Sequence, residues 1–205
     1  MNPRSGFCLL VIVCLFPVAW PSAAQKSNPP WKKLPELCLS ETEELLVRKI
    51  NAYRIEKGLQ PVPLSASLTY VAQLHAWDLA EYGPTIRRCN LHSWSNHGSW
   101  SSCCYTDDPK KAPCMWNKPR ELTNYLSEGY EVAYWTNEEL DPEGLADHAL
   151  RAWKRSPGHN EVIVNQREWR DMDWKAMGVG CYRGYAVVWF GTVTDPENDI
   201  HLCAE

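Results

Sequence analysis

The sequence predicts an α+β domain in which helices cover both faces of a small sheet. Three observations carry this. Residues 40–82 hold two helical patterns in succession, Asp141-Pro142 opens a third, and two short apolar runs flank Arg183-Gly184 near the end of the chain. Strands alone would leave one sheet face wet, and helices on either side bury both.

Each element has a local cause. Ser40 followed by Glu43 is a capping box, in which each side chain satisfies an orphan backbone donor, and the helix it starts is expected to run to Lys57 and stop at Gly58. A second helix is expected from Ser67 to Tyr82, where Leu68, Val71, Ala72, His75, Ala76 and Leu79 form one apolar stripe. His75 lies within that stripe and reads as a buried, hydrogen-bonded core imidazole. In the third helix Asp141 caps, Pro142 fits the first turn, and Leu145, Ala149, Ala152 and Trp153 face inward until Pro157-Gly158 ends it. Strands are expected over Met177–Tyr182 and Tyr185–Val193, with Arg183-Gly184 as a two-residue hairpin turn.

Composition bounds the compartment and the partners. Arg4, the apolar run from Phe7 to Ala19 and the small residues Ser22-Ala23-Ala24 read as a secretory signal peptide over residues 1–24, with the mature chain starting at Gln25. Pro17 and Pro21 argue against a retained membrane anchor, which needs roughly 20 apolar residues, so no transmembrane segment is expected in the mature chain. Val13 is not the small residue that precedes a lipidated cysteine. Residues 25–39 read as an N-terminal arm and 40–205 as one domain. The formal charge of -4 offers no basic surplus for nucleic acid. The one basic cluster, Lys110, Lys111, Lys118 and Arg120, reads as a solvated surface.

Of nine cysteines, Cys8 and Cys14 fall in the leader, leaving Cys38, Cys89, Cys103, Cys104, Cys114, Cys181 and Cys203. In an exported chain these read as disulfide partners, with one left over. About a hundred connectivities remain open. No pair has C-x-x-C spacing, which disfavours structural zinc. Residues 93–127 interleave Trp94, Trp100, Trp116 and three cysteines with Asp, Pro and Lys, without helical or strand period. This reads as a disulfide-stapled loop insertion whose tryptophans build a satellite core; a carbohydrate or ligand platform is the competing use.

Several short motifs fall in a fixed order: His92-Ser93, Gly129-Tyr130-Glu131, Trp153 followed by Ser156-Pro157-Gly158-His159, Gly178-Val179-Gly180, and Val187-Val188-Trp189-Phe190. This order resembles the CAP superfamily of cysteine-rich secretory, antigen 5 and pathogenesis-related proteins (the SCP-like domain, also called allergen V5/Tpx-1 related). The Ser-Pro-Gly-His form is similar to that of bacterial extracellular members. The resemblance covers most of the chain after Glu41 and implies a three-layer α-β-α sandwich. It departs in two places. The 93–127 segment is longer than in compact bacterial members, and Ser156 stands where animal and plant members carry a second glutamate.

The resemblance also implies a central cleft lined by His92, Glu131 and His159, with Ser93 and Glu161 beside them. The three matched residues are the candidate ligands of a divalent metal such as zinc, since imidazole and carboxylate are donors that zinc accepts. Glu161 serves as a further ligand only if the chain turns it inward. The competing reading is a hydrogen-bonded polar lining without metal. Functionally, the expectation is a secreted or periplasmic, non-enzymatic binding module for a lipid, an envelope component or a protein. The alternative is a metal-dependent, peptidase-like hydrolase using a metal-bound water. No H-E-x-x-H, G-x-S-x-G, G-x-G-x-x-G or P-loop is present, and a serine adjacent to a histidine, as Ser93 is to His92, rarely points at it.

Overall fold

The computed structural model describes residues 37–85, 88–106, 108–197 and 199–204. The segment expected to be a signal peptide, residues 1–24, and most of the expected N-terminal arm lie outside the described residues.

The described chain opens with β1 (Cys38–Leu39), which pairs in parallel with the last strand, β5 (His201–Leu202), and the Cys38–Cys203 disulfide locks the pair. Helix α1 (Glu41–Glu56) starts as its capping box requires. Ser40 Oγ accepts from Glu43 N–H at 3.4 Å and Glu43 Oε2 accepts from Ser40 N–H at 2.8 Å. Helix α2 (Ala66–Tyr82) is capped by Ser65, whose Oγ accepts from Leu68 N–H at 3.0 Å. Buried Asp195 fixes that start by accepting from Ser65 Oγ–H, Ser67 N–H and Ser67 Oγ–H.

The main sheet has three antiparallel strands, one more than the sequence pattern suggested. In the order β2 (Gly129–Trp135), β4 (Tyr185–Gly191), β3 (Ala176–Tyr182), the second hairpin strand β4 is central. Arg183 and Gly184 turn the hairpin with φ of 45° and 80°, the positive pair that matches the twist of the flanking strands. The predicted Tyr185–Val193 strand ends two residues earlier, at Gly191. Strand β2 lacks a readable alternation because its first five residues are all buried, Glu131 among them. A strand covered on both faces loses the polar alternation by which strands are recognised.

Side-chain alternation divides the interior into two cores. Val132, Val179, Val188 and Phe190 face α1 and two later helices, α5 (Pro142–Arg155) and α6 (Pro157–Ile163). Ala133, Ala176, Val187 and Trp189 face α2 and the 93–127 insertion. This is the expected α-β-α layering. The closest approach is on β3, where a Cβ at Gly178 or Gly180 would collide with the α2 backbone at Leu68–Thr69 or Ala72–Gln73. The two glycines therefore let α2 lie flat on the strand.

Three local expectations are corrected. Pro157 does not end the helical region: the α5 helix stops at Arg155, Ser156 turns into extended backbone (φ -90°, ψ 113°), and Pro157 becomes the first residue of α6. The insertion is not structureless. It contains the helices α3 (Pro113–Trp116) and α4 (Lys118–Leu122) and an antiparallel bridge between Trp94 and Cys103. Lys118 does not belong to a solvated basic surface. Its side chain is fully buried, its ammonium donates to Ser101 O and to Glu121 Oε2, and it lies 5.3 Å from the Trp94 ring centroid.

Cys89–Cys104 and Cys103–Cys114 staple the insertion, and among the described residues Cys181 is the free thiol. Trp94, Cys103 and Met115 of the insertion join the α2-side core, so Trp94 packs inward as the satellite-core reading required, while Trp116 stays half-buried.

Candidate functional site

The site is assembled around Glu131, a carboxylate on the fully buried stretch of β2. Strand alternation aims it toward α2, opposite to its neighbours Tyr130 and Val132. On α2 the inward stripe presents His75, whose Nδ1–H donates to Glu131 Oε2 at 2.5 Å. The other ring nitrogen, Nε2, donates to the Ser93 carbonyl at 3.0 Å. Both partners of this imidazole are acceptors, so the geometry assigns it both protons and a positive charge. His75 is thus a core residue, as its place in the stripe implied, and also a direct partner of the site carboxylate.

The second Glu131 oxygen is taken by the loop before the insertion. His92 Nδ1–H donates to Glu131 Oε1 at 2.7 Å, and Asn90 Oδ1 accepts from His92 N–H at 3.0 Å, fixing the backbone that carries the ring. Burial alone would raise the Glu131 pKa. The charge and hydrogen bond of His75, with those of His92, more than offset it and hold the carboxyl below its ordinary value.

His159, in the first turn of α6, faces His92 with ring centroids 5.9 Å apart and planes inclined at 57°. Its pKa is lowered to about 4, by burial first and by the charge of His92 second, with Glu131 opposing in part. His159 is therefore a neutral imidazole at neutral pH. The three matched residues do converge: Glu131 and His92 touch, and His159 stands across from His92 in a cleft of about 260 Å³ that all three line.

The two flanking candidates are not in the cleft lining. Ser93 is fully buried, its Oγ accepts from Tyr105 N–H at 3.0 Å and lies 3.4 Å from Tyr105 O. The hydroxyl anchors the insertion, and only the Ser93 carbonyl reaches the site, through His75. Glu161 pairs with Arg167 at 3.3 Å. A helix places residues two apart on different faces, so His159 and Glu161 do not share one.

The predicted zinc ligand set of His92, Glu131 and His159 does not fit this geometry. Each Glu131 oxygen already accepts from an imidazole, leaving His92 Nε2 and the His159 ring as free donors, where an open zinc site takes three protein ligands. Among the described residues, no group of three or more His, Cys, Asp or Glu side chains could hold a metal ion.

Sequence reasoning missed the cleft's aromatic wall. Trp116 of α3, Tyr130 of β2 and Trp169, in the turn after α6, line it. Their sequence separation hid the cluster. Missed too was Trp94, which stacks on His75 with centroids 4.3 Å apart and planes within 6°. The insertion thus supplies the back support of the buried imidazole.

The model of the cysteine-rich secretory protein family, CAP, matches residues 47–190. No curated protein matches the chain. Solved structures that are similar include an extracellular protein containing an SCP domain from Bacillus anthracis str. Ames, 16% identical with a TM-score of 0.49, covering 73% of this chain and 39% of that one. Another is a cysteine-rich secretory protein from Staphylococcus aureus subsp. aureus Mu50, 15% identical with a TM-score of 0.47, covering 82% of this chain and 40% of that one. The chain spans about two-fifths of the length of these two proteins.

Proposed function

The chain belongs to the cysteine-rich secretory protein (CAP) family, and from that premise we propose that it is a secreted binding module whose His92–His159 cleft holds a lipid, an envelope component or a protein without turnover. The observation that carries this reading is the double engagement of Glu131. A carboxylate with both oxygens bonded to imidazoles is a fixed, charge-balanced support, unlike a base that must be free to take a proton. What faces the ligand is the neutral His159 imidazole and the Nε2 of His92, two hydrogen-bonding groups on opposite walls.

Export is supported by the leader read over residues 1–24 and by three disulfides, which persist in oxidising compartments. No helix among the described residues is long and apolar enough to cross a membrane.

The test is co-sedimentation of the purified protein with phosphatidylcholine vesicles, phosphatidylglycerol vesicles and isolated cell-wall sacculi, beside the His92→Asn/His159→Asn double variant. The wild type is expected to pellet with one of these probes and the double variant to lose most of that fraction. In parallel, labelled casein is incubated with and without chelator. Turnover that disappears with the chelator and in His159→Ala would overturn the binding reading in favour of a metal-dependent hydrolase. Pelleting unchanged in the double variant would show that this cleft is not the binding surface.

A further inference from the structure

We propose that the aromatic wall of the cleft is a subsite for a quaternary ammonium group. The inference rests on the binding reading of the cleft and adds the chemistry of what enters it. Trp116 and Trp169 come from separate elements and each meets the Tyr130 ring at a steep angle, with centroids 5.4 and 5.0 Å away and planes at 61° and 68°. They make no ring contact with each other. Tyr130 is nearly buried, while both tryptophans are half-buried and line the cavity. Three rings arranged in this way form a floor and two sides. An alkylated cation fits such a recess because its charge is attracted to aromatic faces and its methyl groups need no hydrogen bonds.

The surrounding charges favour a cation. Glu168, next to Trp169 on the cleft lining, is exposed and makes no ion pair among the described residues. The fixed positive groups near the wall are already matched: Arg120 pairs with Glu128 at 3.0 Å, and Arg167 pairs with Glu161 at 3.3 Å. Glu128 Oε2 also accepts from the Tyr130 hydroxyl at 3.3 Å, which makes that ring more electron-rich. Of the two histidines that line the cavity, His159 is neutral at neutral pH and does not repel an incoming cation, and His92 is engaged by the Glu131 carboxylate at 2.7 Å. A primary ammonium would be stripped of water without gaining acceptors from three rings. The tetraalkylated group, weakly hydrated and apolar on its surface, loses little on entry.

The probe is choline chloride, titrated into the full chain and followed by tryptophan fluorescence and calorimetry, against 3,3-dimethylbutan-1-ol, which has the same shape without the charge. Saturable choline binding is expected, with the neutral alcohol at least about tenfold weaker. Trp169→Leu and Glu168→Gln should each weaken choline binding by roughly 2- to 30-fold, with unchanged circular dichroism. Trp116→Leu is the second ring variant should Trp169→Leu fold poorly.

Equal binding of the alcohol, no saturable choline binding, or unaltered affinity in a folded ring variant would overturn the subsite. The His92→Asn/His159→Asn variant separates this outcome from the broader reading, because it leaves the aromatic wall intact and should still bind choline. Histidine-dependent pelleting without choline binding would remove the subsite alone. Displacement of phosphatidylcholine vesicles by free choline would identify the source as a lipid headgroup, and choline binding without vesicle binding would identify a free small molecule.

Discussion

His75 and Glu131 form a buried ion pair, with Nδ1 and Oε2 2.5 Å apart and neither side chain exposed to solvent. The pair links the middle of α2 to β2 and completes the hydrogen bonding of the cleft carboxylate from behind. Replacing His75 by Phe preserves a ring against Trp94 but removes both donors. Breaking one partner of a buried pair costs about 3–5 kcal/mol, and the retained His92 bond places the expected loss near the lower end. Chemical denaturation of His75→Phe is expected to show a loss of about 3 kcal/mol, and a loss under about 1 kcal/mol would contradict the ion-pair assignment.

The depressed His159 pKa makes stability depend on acid. Between its ordinary 6.5 and the folded value of about 4, the unfolded chain holds a proton that the folded chain excludes, so stability falls as pH drops through that window. At about 1.4 kcal/mol per pKa unit the full effect is about 3.5 kcal/mol. Glu131 acts in the same direction: its lowered pKa contributes stability present above 4.5 and lost as pH falls through the folded value. Denaturation of the wild type at pH 7 and pH 4.5, compared with His159→Asn, is expected to show a shallower pH dependence in the variant. An NMR titration of the His159 ring should have its midpoint near 4.

The Cys38–Cys203 bridge closes a loop of sequence separation 165, the longest of the three. In the chain-entropy account such a closure restrains the unfolded state by roughly 5 kcal/mol, and removing native bridges costs about 2–5 kcal/mol. At about 2–4 °C per kcal/mol for a chain of this size, the Cys38→Ser/Cys203→Ser variant should melt roughly 5–20 °C lower. Scanning calorimetry checks it, and an unchanged melting temperature would mean that the β1–β5 pair is closed without the bridge.

Burial of Lys118 predicts a contrast in chemical reactivity. Lys110 and Lys111 are exposed, whereas the Lys118 ammonium is enclosed by Ser101, Glu121 and Trp94 and its pKa is lowered by burial. Brief treatment of the folded protein with an amine-acylating reagent, followed by peptide mass spectrometry, should label the first two lysines at least about tenfold more than the third. Equal labelling would return Lys118 to the surface.

Local rules reach a long way in this chain. Ser40 with Glu43, Asp141-Pro142 and Arg183-Gly184 each encode their element in a few adjacent residues, because caps and tight turns are satisfied by neighbours. His92, Glu131 and His159 were pointed to by the family resemblance and not by any local rule, and the fold brings all three to one cleft. Three-dimensional packing decided the rest. Strand β2 carries no alternation because both its faces are covered, and Lys118 looks solvent-borne until the insertion closes over it.

The roles within the site were decided by packing too. Composition cannot show that His75, 56 residues from Glu131 in sequence, occupies one of its oxygens, or that this engagement takes the carboxylate out of a metal ligand set. Nor can it show that Trp116, Tyr130 and Trp169 share one wall. The type of each local element is set by short-range hydrogen bonding and is legible along the chain. Which side chains become partners depends on long-range contacts among helices, strands and the stapled insertion, and only the folded arrangement supplies those.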